Sequence, residues 1–129
     1  MNLSNLMEFE KEENTPQMFD RIKIESEIPY PAEDESIQKI NLNEIIFYTE
    51  SLEKQLSYYV VNKENQLSKF LFDKGKLEET NHTGFIIFYV FIQEKELGNN
   101  YWLEYESAFI DGKMLKIKLL FSKTVSKIS

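Results

Sequence analysis

The chain has no cysteine, one histidine, one tryptophan, three prolines and four glycines in 129 residues, and each scarcity removes a class of chemistry. Without cysteine there is no disulfide framework, no thiolate metal site and no cysteine nucleophile, and the cytoplasm is the expected compartment. A single histidine, His82, excludes a metal centre built on several imidazoles. Four glycines are too few for most phosphate-cradling loops, and the sequence holds no Walker A loop, dinucleotide glycine fingerprint or nucleophile elbow. No metal and no cofactor are expected. Long apolar runs are also missing: the longest, Phe85 to Ile92, is eight residues, far short of the roughly 20 that span a bilayer as a helix. The stretch Met1 to Glu13 carries Glu8, Glu10, Glu12 and Glu13 where a signal peptide has a basic start and an apolar core. Neither a membrane span nor a leader is expected.

Basic residues are outnumbered, 15 against 22 acidic, for a formal net charge of −7. Such a chain repels phosphate backbones at long range, so nucleic acid is not an expected partner. The same charge complements a basic protein partner by steering the encounter, and it also serves solubility alone. Apolar material is plentiful: 42% of the residues are hydrophobic and 14% aromatic, with ten Phe and seven Tyr. That is enough to offset the entropy of ordering one domain, and the length fits one domain rather than two.

Periodicity assigns this material to strands. Residues 1–17 read as a flexible or short-helical arm, with Leu3, Leu6 and Met7 at helical spacing and Thr15-Pro16 as a stop. Residues 18–125 read as a single β-rich domain. From Met18 to Ile28, Met18, Ile22, Ile24 and Ile28 alternate with charged residues, a half-buried strand. Pro29, Pro31 and Glu33-Asp34-Glu35 break the pattern into a surface loop. Asn41 to Thr49 reads as a strand buried on both faces, Ser51 to Leu56 as one helical turn, and Tyr58 to Val61 and Leu67 to Phe72 as a pair of strands. Asp73 to Gly84 reads as a polar connection into Phe85 to Ile92, the most apolar strand and the expected centre of the sheet.

At Asp111-Gly112 a three-residue loop of Ile110, Asp111 and Gly112 is preferred, because it opposes Glu106 to Lys116 and Glu104 to Lys118. It also opposes Tyr105 to Ile117, Leu103 to Leu119 and Tyr101 to Phe121 on the other face. The expected fold is mainly β: an antiparallel meander of about six or seven strands forming a curled sheet or open barrel, with at most one or two short helices. A helix packed on one face would make it α+β.

Four residues are candidates for function. Trp102 shares a strand face with Glu104 and Glu106, so on a solvated face it is an aromatic of the kind enriched at binding hot spots; a covering segment would make it core. Glu104 and Glu106 read equally as a structural ion-pair ladder. His82, between Asn81 and Thr83, is either a solvated loop histidine or a base that needs a carboxylate in reach. Tyr48, Tyr58, Tyr59 and Tyr89 read as core or rim, because no basic residues interleave with them as in a base-stacking platform.

Met18-Phe19-Asp20-Arg21-Ile22-Lys23, Phe47-Tyr48-Thr49-Glu50-Ser51-Leu52, Tyr59-Val60-Val61, His82-Thr83-Gly84 leading into Phe88-Tyr89, Trp102-Leu103-Glu104-Tyr105 and Phe109-Ile110-Asp111-Gly112-Lys113 follow one another over most of residues 18 to 120. In order and spacing the chain resembles a loose group of small proteins encoded by phages, prophages and their bacterial hosts, from which it departs by a shorter Asp73 to Asn81 connection. The resemblance implies a phage or prophage context and carries no catalytic residue across. Three functions follow as expectations. The first is a non-enzymatic binding protein that occludes a protein partner, as an inhibitor or immunity protein does. The second is a small-ligand carrier with a pocket inside the curl, and the third a small enzyme using His82 with a carboxylate. An unpaired edge strand would also permit a homodimer.

Overall fold

The computed structural model describes residues 18–96 and 98–125; the arm expected over residues 1–17 lies outside the described residues. The described chain is mainly β, a single mostly antiparallel sheet of eight strands: β1 Asp20–Ile24, β2 Ile46–Thr49, β3 Tyr58–Val61, β4 Leu67–Leu71, β5 Lys76–Glu79, β6 Gly84–Gln93, β7 Asn100–Ile110 and β8 Lys113–Val125. Their order across the sheet is β5-β4-β3-β1-β2-β6-β7-β8. Two short 3-10 turns, Ser36–Lys39 and Leu42–Glu44, are the only helical elements among the described residues, and no helix there is long and apolar enough to cross a membrane.

The sheet departs from a plain meander at β1, which lies between β2 and β3 and runs parallel to β3. Residues 50–57 must therefore carry the chain past the start of β1. Asp20 holds that crossing: its buried carboxylate accepts from the backbone N–H groups of Lys54 (2.7 Å), Gln55 (3.0 Å) and Ser57 (2.9 Å). Two residues of the crossing, Lys54 and Leu56, have positive φ, so the helical turn expected over Ser51 to Leu56 is replaced by an irregular loop tied to a carboxylate. The eighth strand, β5, falls inside the stretch read as a polar connection. All four of its residues are exposed, so it has no hydrophobic alternation to announce it.

One face of the sheet is the core. Ile22, Ile24, Phe47, Val61, Leu67, Ile86, Phe88, Leu103 and Tyr105 point inward and are at most 1% exposed. Phe47, Phe88 and Tyr105 pack as a triangle of rings 5.1 to 5.8 Å apart. The connection over residues 25–45 closes this face with Ile28, Ile37 and Leu42, all buried. Tyrosine hydroxyls pin it: Tyr105 donates to the Pro29 carbonyl (2.7 Å), Tyr101 to Ser36 Oγ (2.8 Å) and Tyr30 to the Ile40 carbonyl (2.6 Å).

The β7–β8 register corrects the sequence expectation. The loop is the two residues Asp111 and Gly112, with φ of 49° and 82° as a type I′ turn requires. Two bulges then shift the pairing, so Glu106 faces Lys118, Tyr105 faces Leu119 and Glu104 faces Phe121. A regular ladder from this two-residue loop would oppose Glu106 to Ile117 and mix the faces; the bulge between Ala108 and Phe109 restores them. Gly112 is required by its surroundings. Its N–H donates to the His82 carbonyl, its carbonyl accepts from Leu67 N–H, and an added Cβ would lie 1.9 Å from the Thr80 carbonyl oxygen. With the Gln66–Lys113 bridge, these bonds join the start of β4 to the β7–β8 turn, so the curled sheet touches itself at one corner without closing into a barrel.

Candidate functional site

Trp102, Glu104 and Glu106 alternate with the buried Tyr101, Leu103 and Tyr105, so all three lie on the outer face of β7. The outer face of β6 beside them is made of Phe85, Ile87, Tyr89 and Phe91. A strand with one solvated face ordinarily carries polar residues there. Here Phe85 is 65% exposed, Phe91 41% and Ile87 39%, and no second layer among the described residues covers them. Contiguous exposed apolar surface is uncommon on a monomeric chain.

The pleat joins these residues to others of the same face. Phe19 meets Tyr48 edge-on at 5.0 Å, Tyr48 lies 6.2 Å from Tyr89, Tyr89 stacks on Trp102 at 5.7 Å, and Phe91 lies 6.5 Å from Trp102. The rings thus cross the sheet from the entry of β1 to β7. Tyr89 donates to Glu50 Oε2 at 3.1 Å. Burial, with the Glu50 charge as the next cause, pushes the Tyr89 phenol up to about 12, so it stays a neutral donor at any physiological pH. Arg21 extends the face in the other direction, its guanidinium 5.7 Å over the Tyr58 ring. Ile46, Phe70 and Phe72 complete a shallow apolar depression there.

Acidic and basic groups flank the rings in rows. Glu104 pairs across the ladder with Tyr89, Glu106 with Ile87, and Trp102 with Lys123 on its other side. The Glu104 and Glu106 ion pairs expected with lysines do not form: the salt bridges among the described residues are Lys23–Glu25 and Lys69–Glu53. Among the described residues, both glutamates therefore stand beside the aromatic strip without an ion-pair partner.

His82 does not belong to this face. Gly84 pairs with Phe109 where Phe91 pairs with Trp102, so His82 sits at the Phe85 end of β6, about 23 Å along the strand from Trp102. The His82 ring meets the buried Phe109 at 6.1 Å, and its Nε2 is buried with no hydrogen-bond partner. No carboxylate among the described residues forms an ion pair with it. Its chain contribution is the carbonyl that receives Gly112 N–H (2.8 Å). His82 lines a cleft that also holds Glu53, whose carboxyl is held below the ordinary value first by its bond to Lys69 (2.6 Å) and then by one from Tyr59. This trio ties the crossing loop to β3 and β4.

Sequence reasoning placed Trp102, Glu104 and Glu106 on one face and missed their apolar neighbours. The sequence places Phe85, Ile87 and Phe91 in the central strand, and β6 is interior, between β2 and β7; the strand read as buried on both faces, Asn41 to Thr49, instead leaves Tyr48 exposed. The run of apolar residues on both faces was the available signal, since a strand with one covered face needs only one.

Comparison with known proteins brings no relative: no family model, no curated protein and no solved structure matches the chain.

Proposed function

We propose that this is a non-enzymatic binding protein that engages a protein partner through the outer face of its sheet and acts by occlusion, as an inhibitor or immunity protein does. The observation that carries this reading is the exposed row Phe85, Ile87 and Phe91 beside the ring ladder of Tyr48, Tyr89 and Trp102. A flat aromatic surface rimmed by charge, without a deep pocket, is the anatomy of a protein interface. Glu50, Glu104 and Glu106 along it suit basic groups on the partner, in keeping with the net charge of −7. A cytoplasmic setting and a phage or prophage context, implied by the lack of cysteine and by the sequence resemblance, belong to the same proposal.

The competing readings have less support. The concave side is filled by Phe47, Phe88, Tyr101, Tyr105 and Phe109, which leaves a ligand carrier nothing to enclose. His82 shares a cleft with Glu53, but that carboxylate is held by Lys69 and Tyr59 and no hydrogen bond joins it to the imidazole, as acid–base work requires. Self-pairing through the edge strand β8 would bring together two strands that each carry Lys113, Lys116, Lys118 and Lys123 and no acidic residue.

The test is a quantitative pull-down from host lysate with wild type, Phe91→Ser, Trp102→Ala and, as a control away from the face, Lys39→Ala. A protein retained stoichiometrically by wild type and Lys39→Ala, and lost by both folded outer-face variants, supports the reading. Equal retention by all four overturns it.

A further inference from the structure

We infer that the protein partner meets this face with an arginine, its guanidinium set against the Tyr89–Trp102 ring pair and held by Glu50 and Glu104. The inference rests on the reading of the outer face as the binding surface and adds the chemistry that the face selects.

The two rings stack 5.7 Å apart with 20° between their planes, and a carboxylate approaches Tyr89 from the strand on each side. Glu50, exposed and one residue past the end of β2, accepts from the Tyr89 hydroxyl at 3.1 Å. Glu104 is the direct cross-strand neighbour of Tyr89 on β7, an arrangement that sets the Cβ atoms about 5 Å apart. Burial first, then the Glu50 charge and, more weakly, the Glu104 charge hold the phenol protonated, so both carboxylates act at one spot. Neither forms an ion pair among the described residues, and the neighbour of Glu104 on its other side is Phe121 rather than a lysine. Glu106 differs, since it faces Lys118, and it is not part of this spot.

The same face shows what suits such a place. Arg21 lies over Tyr58 with its guanidinium 5.7 Å from the ring centroid, whereas Lys123, opposite Trp102 in the ladder, makes no cation–ring contact among the described residues. A ring pair with two carboxylates and no cation is the complement of a second guanidinium. That group is planar and weakly hydrated, so it stacks on an indole or phenol while its forked N–H groups bind carboxylate oxygens. A lysine ammonium is a compact, strongly hydrated point charge and gains less from flat rings. The arginine belongs to a protein rather than to a free small molecule, because the rings sit on an open sheet face that Phe85, Ile87 and Phe91 continue, and only a larger partner covers them.

The test uses the full chain with an arginine nonapeptide and a lysine nonapeptide as probes at physiological salt. Calorimetry gives the affinities, and the emission of Trp102, the chain's one tryptophan, reports the site. The arginine peptide is expected to bind about tenfold more tightly than the lysine peptide and to perturb Trp102 emission. Its affinity should fall about tenfold in Glu50→Gln/Glu104→Gln and hold in the charge-matched Glu33→Gln/Glu35→Gln, whose two glutamates are exposed on the connection that closes the other face. Equal affinity for the two peptides, or equal losses in the two double variants, reduces the effect to net charge and overturns the inference. The lysate pull-down separates this inference from the reading beneath it. A partner lost by Phe91→Ser and by Glu50→Gln/Glu104→Gln supports both. One lost by Phe91→Ser but kept by Glu50→Gln/Glu104→Gln overturns the arginine and leaves the binding face standing, and one kept by every variant removes both.

Discussion

β6 and β7 are neighbours in one sheet and are opposite in what they ask of solvent. β7 alternates without exception from Tyr101 to Phe109, buried inward and partly polar outward. β6 is apolar on both sides, with Ile86, Phe88 and Val90 in the core and Phe85, Ile87 and Phe91 exposed. The first pattern is what a one-sided sheet needs in order to fold. The second carries apolar residues beyond that need, and the proposed binding role rests on that excess.

That contrast makes inner-face and outer-face substitutions behave differently. The largest effect is expected for Tyr105→Ala, which removes the ring between Phe47 and Phe88 and the bond to the Pro29 carbonyl. It should cost about 4 kcal/mol in denaturant unfolding. Gly112→Ala tests the corner: its positive φ and the blocked Cβ position should together cost about 3 kcal/mol, seen as a lowered melting temperature with unchanged strand content. Asp20→Asn keeps the shape but weakens the bonds to the crossing loop. About 2 kcal/mol should be lost by urea titration, and a neutral result would mean that the loop holds itself.

On the outer face, Phe91→Ser should change stability by less than about 0.5 kcal/mol while removing partner retention. A large loss of stability would show that the face is core. The smallest effect is electrostatic. The Tyr89 phenol, ordinarily near 10.0, is pushed up to about 12 in the folded protein, so the folded state holds this proton longer than the unfolded one. The resulting stabilisation is complete below pH 10 and disappears as pH rises through about 12. Ultraviolet titration should show a tyrosine ionising near 12 that is absent from Tyr89→Phe and moves down in Glu50→Gln.

Most strands were legible because their signal is local. The inward alternation of β1 and β7 and the apolar runs of β2, β3 and β6 needed no tertiary knowledge. What escaped depends on contacts distant in sequence. β5 is a strand only because β4 offers it an edge, with Lys69 opposite Glu78 and Phe70 opposite Leu77. Asp20 reads as one polar residue in a strand, and its three backbone partners lie more than thirty positions away. The hairpin register failed on two bulges that charge pairing does not reveal. Of the candidate site, Trp102, Glu104 and Glu106 were placed together by period two alone. The exclusion of His82 needed the fold, because its role is set by Gly112 and Phe109.

The arrangement of strands also dictates an order of assembly. β6, β7 and β8 each pair with the neighbour next in sequence, so this three-stranded unit closes only short loops and can condense early. β1 has the opposite fate. Made first among the described strands, it occupies an interior position and must wait for β2 and β3 to flank it. The two groups then meet along a narrow seam, with Tyr48–Tyr89 and Thr49–Phe88 as the register pairs between β2 and β6. Pulse-labelled hydrogen exchange should protect amides of β6 to β8 before those of Ile22 and Lys23, and the Leu67 amide at the corner last. For a chain emerging from the ribosome, β1 is made before either of the strands that flank it.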